Sequence, residues 1–61
     1  MSQLNQMELQ SLRHLIGAHD TAIQKMQTYA QQAMDPQVKS YFQKSAQDAQ
    51  QTKQKLISML S

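Results

Sequence analysis

Two histidines, His14 and His19, four carboxylates, Glu8, Asp20, Asp35 and Asp48, and a late group of lysines, Lys39, Lys44, Lys53 and Lys55, are the side chains able to do acid–base, metal or phosphate chemistry. Their spacing supports little of it. His14 and His19 are five residues apart, about 140° around a helix, so they cannot grip one metal ion as an i, i+4 pair does. None of the carboxylates stands in the Glu-x-x-His pairing of helical di-iron sites; Asp48-x-x-Gln51 is the nearest echo, and glutamine is a poor substitute for the histidine ligand. Caps and solvated faces account for at least two of the four acids. The serines, Ser11, Ser40 and Ser45 among them, lie in helical context without a nucleophile elbow or a Gly-rich oxyanion loop. We therefore expect no enzyme activity, no catalytic residues, no cofactor and no metal site.

The remaining chemistry is that of surfaces. The four lysines, with Tyr41 and Phe42 beside them, have the residue types of a nucleic-acid contact, but they are spread thinly and diluted by glutamine, as on a solvated helix face. Net charge is +2, from six Lys and Arg against four Asp and Glu. That is too weak a field to expect nucleic-acid or anionic-membrane partners. Thirteen glutamines supply the polarity instead. Met1-Ser2-Gln3-Leu4-Asn5 has neither the basic start nor the apolar stretch of a secretory signal, so export is not expected. The longest apolar run, Leu15-Ile16-Gly17-Ala18, falls far short of the roughly 20 residues of a membrane span.

The elements that carry these residues follow from where the chain can turn. Glycine and proline occur once each, and Met34-Asp35-Pro36 combines an N-cap aspartate with a proline suited to the first helical position. Proline also disfavours the helical region for the residue before it. The spacing predicts one helix over about 5–34 and a second over about 36–60, after a frayed lead at 1–4. Asn5 and Glu8 form a capping-box pair, flanked by Leu4 and Leu9 as a staple. Leu12, Leu15, Ile16, His19, Ala22, Ile23, Met26, Tyr29, Ala30 and Ala33 recur at three- and four-residue steps and lie on one helical face, opposite Arg13, Asp20 and Gln24. In the second segment Val38, Phe42, Ser45, Ala49, Thr52, Leu56 and Met59 follow the same rule.

The fold class expected is all-α, an antiparallel two-helix hairpin in a single domain over residues 5–61. A chain of 61 residues without cysteine builds only a marginal core by itself. Because a hairpin covers one flank of each stripe, burial favours a homodimer that closes into a four-helix bundle, with Leu12, Leu15, Ile16, His19, Ile23, Met26, Phe42, Ala49 and Leu56 as core and dimer interface. Gly17 costs about 1 kcal/mol relative to alanine inside a helix. The expected reason for it is close helix approach; the alternative is a break there, with Asp20 capping the next piece of a three-helix monomer. His19, on the apolar stripe, should hydrogen-bond a neighbouring chain, with Thr52 level with it and Asp48 farther off.

Three stretches then carry a resemblance: Leu12-Arg13-His14-Leu15-Ile16-Gly17-Ala18-His19-Asp20, the hinge Ala33-Met34-Asp35-Pro36, and Ala49-Gln50-Gln51-Thr52-Lys53-Gln54-Lys55-Leu56. Together, over roughly residues 8–60, they resemble the short spore-coat proteins of the coat F-like group in endospore-forming Firmicutes, whose fold is related to ferritin-like bundles. The resemblance implies a non-enzymatic structural or assembly protein, made in the cytoplasm of the sporulating cell and associated with the spore coat, with other coat proteins as further partners. Its ferritin-like relatives imply a metal or small-ligand bundle as the alternative, although the metal-binding groups themselves are missing from this sequence. Coat proteins are joined by glutamyl–lysyl bonds, and Gln50, Gln51, Lys53 and Gln54 are the residues here that such cross-linking would use.

Overall fold

The computed structural model describes residues 3–60, and the chain folds as two helices, α1 over Gln6–Gln32 and α2 over Pro36–Ser58, packed antiparallel. Residues 1 and 2 of the expected lead lie outside the described residues; Gln3 and Leu4 precede the helix, and Leu4 is half-buried.

Each start is built by its own side chains. The Asn5 carboxamide oxygen accepts from the Glu8 amide at 2.7 Å, and the Glu8 carboxylate accepts from the Asn5 amide at 3.1 Å, which is the capping box read from the sequence. At α2, Asp35 Oδ1 accepts from the amides of Gln37 and Val38 at 2.8 and 3.1 Å, and Pro36 occupies the first turn, where its missing N–H leaves no gap.

The first helix stops two residues earlier than expected. Ala33 is already extended (φ −69°, ψ 132°), although its amide still donates to the Tyr29 carbonyl at 2.9 Å. Reversing the chain takes three non-helical residues, Ala33-Met34-Asp35, because Asp35 must itself be extended to cap α2 and to precede proline. The second helix likewise ends at Ser58 rather than near 60, closing through turn bonds from Met59 to the Leu56 carbonyl and from Leu60 to that of Ile57.

Gly17 breaks nothing. It lies inside α1 with negative φ, and a methyl group built there meets no atom within 4 Å. The expected close helix approach is therefore also absent: Gly17 is exposed on the outer side of α1. Gly17→Ala should raise stability by about 0.5–1 kcal/mol by restricting the unfolded chain and improving helix propensity, read as a higher midpoint in thermal or urea unfolding followed by circular dichroism.

The core is thin. Only Ile23, Ala30, Ala46 and Leu56 are buried among the described residues. Ile23 and Leu56 were expected there. Leu12, Ile16, His19, Met26, Phe42 and Ala49 line the seam half-buried, whereas Leu15, expected in the core or dimer interface, stands 45% exposed on the single hairpin. On α2 the inward face is rotated from the expected stripe. Ala46 and Lys53 turn inward, while Val38, Thr52 and Met59 are exposed. One contact accompanies this face: Lys53 Nζ pairs with Asp20 Oδ1 across the two helices at 2.5 Å, and its stem lies along the seam with only 22% of the side chain exposed. Asp20, expected on the outer polar face, is half-buried by the same pairing.

Candidate functional site

The titratable side chains fall apart in space. His14 is exposed on the flank of α1, and His19 is half-buried against its own helix: its Nδ1 lies 2.9 Å from the Leu15 carbonyl. The expected cross-chain partner is thus replaced by a backbone group one turn away. Thr52 is engaged elsewhere, its hydroxyl donating to the Asp48 carbonyl at 3.2 Å. Thr21 and Thr28 make the same backward bond to Gly17 and Gln24, and the Ser58 hydroxyl donates to the Lys55 carbonyl, so these hydroxyls serve the helices that bear them.

Asp48 pairs with Lys44 one turn back at 3.6 Å on an open surface, a contact worth little in water. Among the described residues no three His, Asp or Glu side chains converge to hold a metal ion. The concavities are surface grooves. One, on the polar flank, is lined by Gln27, Gln31, Gln43, Gln47 and Gln50 with Lys39; others run along α1 beside Met7 and His14. Among the described residues these grooves bring no nucleophile, base and oxyanion donor together.

The feature that does stand out is a flank of the hairpin. Tyr29 and Phe42 pack across the helices with ring centroids 5.3 Å apart, and Tyr41 adds an edge contact to Phe42 at 5.7 Å. Beyond this cluster the same flank carries Leu15 of α1 and, at the open end, Met59 of α2, which share a shallow groove with Leu4 and Leu12. At about 100° per residue these side chains project from one side of the helix pair, while the glutamine groove occupies the other. Tyr41 is 68% exposed, and Tyr29 and Met59 are each nearly half exposed. Sequence reading placed Leu12, Leu15, Tyr29, Phe42 and Met59 on helical stripes without separating the part that faces the partner helix from the part that does not. A wheel for each helix taken alone does not reveal which side of a stripe the partner helix covers.

Of the glutamine and lysine side chains singled out for cross-linking, Gln50, Gln51 and Gln54 are exposed, but Lys53 is held in its ion pair with Asp20. That lysine is the least available of the four.

No helix among the described residues is long and apolar enough to cross a membrane. Compared with known proteins, the chain matches no family model, no curated protein and no solved structure.

Proposed function

We propose that the chain is a non-enzymatic structural or assembly module that acts by pairing with a second copy of itself, two hairpins closing into a four-helix bundle. The observation that carries this reading is surface area. The hairpin exposes 4944 Å², whereas a compact monomer of its 7.0 kDa mass exposes about 4,000 Å². The excess is close to the about 800 Å² that each partner contributes to an interface of standard size. Shape agrees with area: the radius of gyration is 14.3 Å, against about 10.5 Å for a globular chain of this length.

The exposed apolar flank supplies what such an interface needs, since aromatic and methionine side chains favour the core of a contact. The resemblance to the coat F-like proteins supports placing this assembly in the spore coat of a sporulating cell, with a ferritin-like bundle as its architecture and other coat proteins as further partners.

Sedimentation equilibrium over a wide concentration range, with helicity followed on the same samples, tests the pairing. The expected result is a mass of twice the 7.0 kDa chain, with helicity falling as dilution dissociates the dimer. A helical species that stays at 7.0 kDa at every concentration would overturn the reading.

A further inference from the structure

The arrangement of the flank specifies how two copies pair, an inference that rests on the dimeric reading above. The contact of Lys53 with Asp20 sets the levels of the two helices: residue numbers at one height sum to about 73. Tyr41 is then level with residue 32 at the hinge end, and Met59 with residue 14 at the open end. On α1, Leu15 and Tyr29 occupy nearly the same two heights, with Ala22 between them.

An interface on this flank has to cover large side chains at both ends of both helices. Two symmetric arrangements lay flank on flank. If the two-fold axis runs across the helices, α1 lies on the partner's α1 and α2 on the partner's α2, each reversed. Reversal about the middle of the pair lays Leu15 on the partner's Tyr29 and Tyr41 on the partner's Met59, but it keeps the Lys25 side chains at one edge and the Asp48 side chains at the other, so the two charges do not meet.

If the axis runs along the helices, α1 lies on the partner's α2 at equal height. Leu15 meets the partner's Met59, Tyr29 meets the partner's Tyr41, and the small Ala22 sits opposite the partner's Thr52. All four large side chains are covered at once. Charge separates the two arrangements. Lys25 and Asp48 share one height but project from the two outer edges of the flank, so they do not meet within a chain; this second arrangement brings each Lys25 beside the partner's Asp48, twice per dimer.

We propose that the flank takes a second copy of this chain with the two-fold axis along the helices, α1 on the partner's α2, edged by two Lys25–Asp48 pairs. The area fits: a face of 46 × 16 Å covers about 700 Å², near the share of one partner in a standard interface.

The chain has no cysteine, so single introduced thiols report the arrangement directly. Ala22→Cys and Thr52→Cys variants are purified separately, then unfolded together in urea, refolded and mildly oxidised. The expected product is a covalent dimer containing one copy of each, at least about tenfold more abundant than the covalent dimer formed by either variant alone, because a disulfide requires Cα atoms within about 7 Å. Covalent dimers formed as readily by Ala22→Cys alone would overturn the proposal in favour of the axis across the helices. Dimeric mass by sedimentation without cross-links in any sample would overturn this arrangement and leave the pairing intact, whereas monomeric mass would overturn both.

Discussion

Leu56→Ala is expected to leave the chain largely unfolded at room temperature. Among the described residues Leu56 is one of only two large side chains buried in the hairpin, the other being Ile23, and each is within 8% of complete burial. Removing a buried leucine to the β-carbon costs about 2–5 kcal/mol, the range reflecting how far neighbours close the space. In a larger protein that loss is tolerated. Here the remaining buried residues are Ala30 and Ala46, which have no further methylene to offer, and two straight helices cannot collapse onto the gap without losing contact elsewhere along the seam. Loss of most of the helical circular dichroism signal, recoverable at high protein concentration where pairing adds stability, is the expected readout. A cooperative transition within 1 kcal/mol of the parent chain would mean that the seam is not where stability resides.

Leu15→Asp is expected to act on a different equilibrium. At 45% exposure, the Leu15 side chain contributes modestly to the hairpin itself, so a carboxylate there remains hydrated in the single chain. In the dimer it would be buried against the apolar side chains of the partner's last turn. Desolvating an unpartnered polar group costs several kcal/mol, and even about 3 kcal/mol weakens pairing more than a hundredfold. Sedimentation should return monomer at concentrations where the parent is dimeric. Helicity should become independent of dilution, at the low level of a hairpin lacking its partner. An unchanged dissociation constant would remove Leu15 from any interface and redirect attention to the glutamine flank.

The parts of this molecule that were legible in the sequence are those decided by local chemistry. Asn5 with Glu8, and Asp35 with Pro36, act on amides within three residues of themselves, so the caps and the place of the reversal could be read without knowing what packs where. The 3.6-residue period identified both helices for the same reason. What escaped was decided between helices. Asp20 and Lys53 looked like solvated charges because each is considered alone in a linear reading; their meeting across the seam appears only once the two helices are packed, and Val38 is exposed because it lies past the end of α1. His19 was assigned a partner on another segment, but the carbonyl of Leu15, one turn back, is nearer than any cross-seam group could be relied on to be. Gly17 invited a packing explanation that the open space around it removes. Leu15 belongs to an apolar stripe wider than one neighbouring helix covers, and Tyr41 stands beside the second stripe, so both side chains remain exposed on the hairpin.

The three-residue reversal between the helices also bears on topology. A chain built of two helices and a short connection is a natural substrate for domain exchange, in which the connection straightens, the helices merge into one rod, and each half packs on another molecule. Here proline disfavours that route. Running α1 straight into α2 would force Asp35 into the helical region immediately before Pro36, place a ring against the carbonyl four residues back, and strip both α2 amides of the carboxylate that caps them. A rod would have to kink at the residue where the hairpin already turns, so exchange through one merged helix is disfavoured by about 3 kcal/mol or more.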